Sequence, residues 1–289
     1  MANPYREHII HLVTTEPNKF SYQDVADKYN IGYEEVRNVA RNNNIKHLFI
    51  KGNKLRLTKQ EIERPEYIPE PPNTERILVI GDLHEPFCLD EYFDFCVETY
   101  KKYKCTHVIF IGDIIDNHAA SYHETDPDGM GAGDELDLAI ERIARWYRAF
   151  PKAQVIIGNH DRLIMRKASS GGVPRRWIRD FQSVLGVYQW TFHERLVYDN
   201  VQYIHGEGGT ARTRCKKDLI STVQGHLHTQ AYTEHFVGTN FRIYGSQIGC
   251  GVDWKSYGMA YAKDSGKPVI GCMVVLDNGS LPMNLLMKK

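Results

Sequence analysis

RILVIGDLHEP, residues 76–86, sets a short apolar run against a glycine, an aspartate and a histidine. Four apolar residues in a row, 77–80, fit a strand buried on both faces, and Gly81 closes the run. Asp82 and His84 follow two apart, a spacing that turns both side chains the same way in extended backbone. The pattern then recurs. HVIFIGDIIDNH (107–118) carries Asp113 and Asp116 past a second apolar run. QVIIGNHD (154–161) carries Asn159, His160 and Asp161 past a third. VQYIHGEGG (201–209) brings His205, and TVQGHLH (222–228) brings His226 and His228. Ligands of open α/β sheets bind at the carboxyl ends of strands, so these clusters are expected to converge in one crevice.

Each cluster alone is weak. An aspartate after a glycine is often a plain turn, and a lone histidine is more often packed or solvated than a ligand. Five such clusters in order after apolar strands point to a metal centre. Carboxylate, imidazole and amide oxygen together suit manganese, iron or zinc, not calcium, which takes oxygen alone. Two divalent ions about 3.5–4 Å apart repel, so such a pair needs a carboxylate between them. In GNHD, Asn159, His160 and Asp161 are all candidate ligands, and on residue type alone His160 is the first choice.

The rest of the chain sets bounds. Its 289 residues allow more than one domain, and a net charge of zero from 36 basic and 36 acidic residues argues for no partner by itself. No apolar run approaches the roughly 20 residues of a membrane span. The first residues lack a signal-peptide core. Six cysteines are scattered without CxxC spacing, which disfavours a zinc finger or a disulfide framework. A protein of a reducing compartment, the cytoplasm, is expected.

Pro65, Pro69, Pro71 and Pro72 crowd the stretch 62–75, which reads as an extended linker. Before it, residues 6–14 read as a helix. Ser21 and Asp24 then form a near capping box ahead of Val25, Ala26 and Tyr29, and Gly32 separates them from Tyr33, Val36, Val39 and Ala40 at helical spacing. Two helices joined at a glycine make a helix-turn-helix pattern. Leu48 and Ile50, then Leu55 and Leu57, alternate around a Lys-Gly-Asn-Lys turn, as in the β-hairpin wing of a winged helix. Residues 1–60 hold ten Lys and Arg against six Asp and Glu. Arg37, Asn38 and Arg41 are expected on the exposed side of the second helix of this pair, where such side chains suit phosphates and base edges. A protein-contact or dimerisation module is the alternative use.

After the linker, strands near 76–80, 107–111 and 153–157 alternate with helices near 89–103 and 134–149, and from about residue 190 the chain turns strand-rich. This order suggests two sheets packed together with helices outside.

GDLH, GDIID, GNHD, HG and GHLH match in order the five motifs of the calcineurin-like metallophosphoesterases, so residues 76 to about 230 resemble that family. The resemblance implies an α+β fold, a β-sandwich flanked by helices (α/β/β/α), here spanning 76–289 after a winged-helix-like domain at 1–61. It implies two divalent transition-metal ions, manganese first, with iron, zinc or nickel as alternatives. Asp82, His84, Asp113 and His228 would hold one. Asp113 would bridge to the second, completed by Asn159, His205 and His226. His160 would then be no ligand. It would contact the substrate phosphate and protonate the leaving oxygen, with Asp161 orienting it and Asp116 in a supporting place. A hydroxide bridging the metals would attack phosphorus in line. Asn117 and His118 stand where protein phosphatases of the family carry Arg-Gly, and Glu85 where many members have glycine, which weakens a serine/threonine-phosphatase reading. His118 and His123 are candidate substrate contacts or ordinary surface residues.

Basic residues surround the motifs: Arg162, Arg166 and Lys167; Arg175, Arg176 and Arg179 beside Trp177; Arg212, Arg214, Lys216 and Lys217. Cations with aromatics suit a nucleic-acid strand. Arg162 and Arg212 are the candidates near the motifs. SSGGVP (169–174) and HETDPDGMGAGDE (123–135) read as loops able to form a lid or channel. The leading reading is a two-metal phosphodiesterase acting on nucleic acid, DNA first, in a bacterial or phage-infected cell. The second is a phosphatase or cyclic-nucleotide phosphodiesterase. The third is a DNA-binding regulator with an inactive phosphoesterase body, disfavoured because every ligand position holds a competent residue.

Overall fold

The computed structural model describes residues 4–50, 75–122, 126–206, 208–258 and 266–288. The chain divides into two compact units, Met1–Pro69 and Glu70–Lys289, with the break inside the proline-rich stretch. None of the described helices is long and apolar enough to cross a membrane.

The first unit contains α1 (Arg6–Thr15), α2 (Tyr22–Tyr29) and α3 (Tyr33–Asn42). Ser21 caps α2 in a reciprocal capping box. Its hydroxyl accepts the Asp24 N–H at 3.1 Å, and Asp24 accepts the Ser21 N–H at 2.7 Å. Asn30 then takes a left-handed conformation, φ 51°, that ends the helix. Val36, Val39 and Ala40 face a core shared with Ile9, Val13 and Val25. The opposite side of α3 leaves Arg37, Asn38 and Arg41 exposed. One expectation is corrected here. Leu48 does not begin a strand; it ends a 3-10 turn, Lys46–Leu48. Phe49 rather than its neighbours is buried, and the segment pairs backward: Asn18 N–H donates to Leu48 O and Ile50 N–H to Phe20 O. The rest of the expected wing, 51–57, and residues 62–74 of the expected linker lie outside the described residues.

The second unit is a two-sheet sandwich. The first sheet has the order β11-β10-β1-β2-β3-β4, from β1 (Ile77–Ile80), β2 (His107–Phe110), β3 (Gln154–Ile156), β4 (Thr191–His193), β10 (Gly271–Leu276) and β11 (Leu281–Leu286). β1 to β4 run parallel; β10 and β11 are antiparallel additions. The second sheet has the order β5-β6-β7-β9-β8, from β5 (Leu196–Tyr198), β6 (Val201–Ile204), β7 (Ser221–Gln224), β8 (Tyr232–Val237) and β9 (Arg242–Gln247), with β6, β7 and β9 parallel.

Strand alternation makes two cores. Ile77, Val79 and Ile109 meet Val201, Tyr203 and Val223 between the sheets. Leu78, Ile80 and Phe110 point the other way, against Tyr92 of α4 (Asp90–Tyr103) and Trp146 of α5 (Ala132–Ala149). β1, and β2 after His107, are thus apolar because both faces are covered. On the far side, α8 (Ala211–Asp218) lies so close to β9 that a Cβ at Gly245 would collide with the backbone of Arg212. The layers are helix, sheet, sheet, helix. Two shorter helices, α6 (Leu163–Ser170) and α7 (Phe181–Leu185), follow the third motif.

Candidate active site

Register aligns the strand ends. Ile80 pairs with Phe110 across β1 and β2, and Ile204 pairs with Gln224 across β6 and β7. The turns leaving β1, β2 and β3 in one sheet, and β6 and β7 in the other, bring the five polar clusters together.

Ligand atoms of Asp82, His84, Asp113 and His228 lie within 4.8 Å of one another, and so do those of Asp113, His205 and His226. Asp113 belongs to both groups. Its Oδ2 is 3.4 Å from His84 Nε2 and 3.0 Å from His205 Nε2. Asn159 joins the second group through Oδ1, 2.8 Å from His205 Nε2. On the other side, His228 Nε2 lies 3.1 Å from Asp82 Oδ2.

The backbone is forced into this arrangement. His84, Asp113 and His226 have φ of 51°, 48° and 71°, a region most side chains avoid. Such strain persists where surrounding structure over-determines it, characteristically at functional sites. Each of these residues is tied to the next turn. His84 N–H donates to Asp113 O at 2.8 Å, His160 N–H to Asp113 Oδ1 at 2.8 Å and His226 N–H to Asp82 Oδ2 at 2.8 Å. Gly158 is required for contact: a Cβ there would fall inside Asp113.

The imidazoles are oriented from behind. His205 Nδ1 lies 3.1 Å from the Ile111 carbonyl, an acceptor only, so Nδ1 carries a proton and Nε2 faces Asp113 and Asn159. His84 Nδ1 lies 2.6 Å from Asp116 Oδ1, which directs its Nε2 toward Asp113 in the same way. A third group of potential ligands, His84, Asp116 and His160, is therefore occupied by this hydrogen bond.

These residues fit divalent ions. Asp82 Oδ1 and His84 Nε2 are buried with no hydrogen-bond partner among the described residues, a costly condition that a cation would relieve. The electrostatics agree. Burial opposes charge on His84, but the neighbouring Asp113 and Asp116 carboxylates outweigh it and hold its pKa well above the ordinary value. Burial likewise opposes charge on His205, yet Asp113 raises its pKa to about 9. Burial pushes the Asp113 carboxyl up, but His205 and His160 outweigh it and hold the pKa well below the carboxylate range. The pocket attracts positive charge.

His160 sits beside the first group, its ring 4.5 Å from that of His84. Nδ1 lies 2.7 Å from the Asp116 carbonyl, an acceptor only, so Nδ1 bears a proton. Burial, then the nearby His84, lowers its pKa. The role expected of Asp161 is corrected. Its Oδ1 accepts the N–H groups of Ile114 and Ile115 at 3.0 and 3.3 Å, and its Oδ2 that of Gly158 at 2.8 Å. Orphan turn donors claim both oxygens, and Asp116 stands against His160 instead.

Other expected contacts separate. Arg162 is ion-paired with Glu194 and, with Arg195 and Arg214, lines a cavity of about 220 Å³ that reaches His205. Arg212 enters no such cluster among the described residues. Its guanidinium lies 4.3 Å from the Tyr232 ring centre and 3.3 Å from Glu234. Arg37, Asn38 and Arg41 belong to the first unit, where Arg37 pairs with Glu34 and Arg41 with Asn38. His118 is buried: its backbone N–H donates to Glu135 and its Nε2 accepts the Asp126 N–H at 3.0 Å, so it braces a loop. His123 lies outside the described residues. Glu85 is wholly buried between Arg142, Arg145 and the Trp146 indole N–H, tying the first turn to α5. No motif reading anticipated this bracing.

The sequence profile of a family described as calcineurin-like phosphoesterase matches residues 75–242. A search of curated proteins finds no match. Similar solved structures include Vacuolar Protein Sorting 29 from Cryptosporidium parvum, 14% identical over 74% of this chain and 98% of its own, TM-score 0.38. The phosphoesterase Yfce from E. coli is 11% identical over 69% of this chain and 87% of its own, TM-score 0.34. The nuclease MPE of Pseudomonas putida is 16% identical over 72% of this chain and 87% of its own, TM-score 0.32.

Proposed function

The chain belongs to the calcineurin-like phosphoesterase family, and from that premise we propose that it is a two-metal phosphodiesterase acting on nucleic acid, DNA first. The observation that carries the reading is the sharing of Asp113 between two ligand groups, with His160 alongside. Asp82, His84, Asp113 and His228 would hold one divalent ion, and Asp113, Asn159, His205 and His226 the other. Manganese suits the mixed donors best, with iron, zinc or nickel as alternatives. Such ions, when bound, neutralise phosphoryl oxygens and lower the pKa of a coordinated water.

The chain's own groups do the rest. Asp116 holds His84 through its carboxylate and His160 through its carbonyl, so the metal side and the acid side of the site move together. His160 Nε2 is the position from which a proton reaches the leaving oxygen. Asp161 fixes the turns of the second and third motifs.

The preference for nucleic acid rests on the surface near α6. Tyr122 lies 5.4 Å from both the Arg166 and the Lys167 charges, and Trp177, next to Arg175 and Arg176, is 78% exposed. Exposed aromatics among cations serve as stacking platforms for a strand. In the first unit, α3 exposes Arg37, Asn38 and Arg41, read as part of a targeting module.

The test is a substrate panel with Mn²⁺: single- and double-stranded DNA, RNA, a chromogenic diester and a chromogenic monoester. DNA degradation abolished by Asp113→Ala is expected. Monoester cleavage without nuclease activity overturns the substrate assignment in favour of a phosphatase. A gel shift with no hydrolysis of any substrate would support the regulator instead.

A further inference from the structure

A cavity of about 330 Å³ lies between the start of α5, α6 and the segment 178–185, and its lining includes Asn117 and Asp161 of the site. Its walls are mainly apolar: Leu136, Ile164, Met165, Ile178, Phe181 and Val184. Four polar side chains also line it. The carboxylates of Asp161 and Glu135 are already accepting backbone N–H groups. Asn117 donates Nδ2 to the His160 carbonyl at 3.0 Å, which leaves its Oδ1 without a hydrogen-bond partner among the described residues. Arg179 has no ion-pair partner among the described residues.

These features select the chemistry of an occupant. The volume and apolar lining match a site for a small, largely apolar group. A bare hydrocarbon chain would offer no donor to the Asn117 oxygen and no anion to Arg179, which is itself exposed. A flat heterocycle with N–H groups at its edge, carried on a chain of anions, satisfies both. We propose that this cavity holds the nucleobase attached to the scissile phosphate and that Arg179 meets a second phosphate of the same strand. The proposal rests on the nucleic-acid reading above. It adds a subsite that binds the base through its apolar faces and through Asn117, the residue already bonded to the His160 backbone.

Three p-nitrophenyl phosphodiesters, with methyl, decyl or 5′-thymidyl as the retained group, test it on the full chain with Mn²⁺. The occluding variant is Gly133→Phe. Gly133 lines the cavity, and a Cβ there meets no atom within 4 Å, so the backbone accepts a side chain at this position. The wild type is expected to prefer the thymidyl over the methyl ester by about tenfold in kcat/KM, the scale of one stacked base. Gly133→Phe should lose that preference and cleave the methyl ester as before. A 3′-phosphate on the thymidyl ester should lower KM in the wild type and not in Arg179→Gln. Equal rates on methyl and thymidyl esters, a preference for decyl, or a preference that survives Gly133→Phe would overturn the subsite and leave the phosphodiesterase reading standing. Failure to cleave any of the three overturns both.

Discussion

His84 and Asp116 are both fully buried and share a hydrogen bond of 2.6 Å between Nδ1 and Oδ1. The bond fixes which nitrogen of His84 faces Asp113, so Asp116 acts on the candidate metal site without entering it. Asp116→Ala is expected to weaken metal binding by about 10–100-fold, as loss of such a partner usually does. Asp116→Asn keeps an acceptor oxygen and should fall between this variant and the wild type. Titration of the metal-free protein with Mn²⁺ by calorimetry measures both. Unchanged affinity in Asp116→Ala would show that His84 needs no support.

Asp113 is shared and His228 is not, which predicts different stoichiometries. Asp113→Ala should remove both ions and lower activity by at least about a thousandfold, the scale of losing preorganised charge stabilisation. His228→Ala should retain close to one ion per chain. Elemental analysis after gel filtration counts them. Equal loss in the two variants would contradict a bridging role for Asp113.

The parts legible in the sequence were those where one physical cause dominates. Residues 77–80 and 107–110 read as strands because both faces are buried, and Asp82, Asp113 and His205 came together because parallel strands end level. β8 was missed: Tyr232–Val237 mixes Glu234 and His235 with aromatics and is an edge strand that is nowhere fully buried, so it shows no clear period. β4 is a three-residue edge strand, too short for any pattern. Within the site, residue types pointed to ligands, but partnership was hidden. That Asp161 serves backbone donors and Asp116 serves two imidazoles depends on positive-φ turns at His84 and Asp113, which no spacing rule reveals.

Asp161 has a stability role with a pH signature. Asp161→Ala would leave the N–H groups of Ile114, Ile115 and Gly158 without their acceptor, each a loss of about 1–3 kcal/mol where burial is complete. Burial, then the charge of Asp113, pushes the Asp161 carboxyl up to about 6. With the folded pKa above the unfolded one, the folded state holds the extra proton between roughly pH 4 and 6. Its contribution is therefore present at low pH and lost as pH rises through about 6. Denaturant titrations of the metal-free protein should show this decline in the wild type and a smaller one in Asp161→Asn. Identical pH profiles would remove Asp161 as the cause.

His160 and Asn159 are adjacent in sequence yet assigned to different tasks. Asn159 Oδ1 faces His205 Nε2 at 2.8 Å, within the second ligand group, whereas His160 Nδ1 is committed to the Asp116 carbonyl. His160→Ala should therefore keep both ions and lose about 10²–10⁴-fold in kcat, the usual contribution of a positioned acid. Asn159→Ala should instead loosen the second ion, and added Mn²⁺ should recover much of its activity. Elemental analysis and rate measurements across a Mn²⁺ series separate the two. If His160→Ala lost ions and recovered with added metal, His160 would be a ligand, and the proton would have to come from elsewhere.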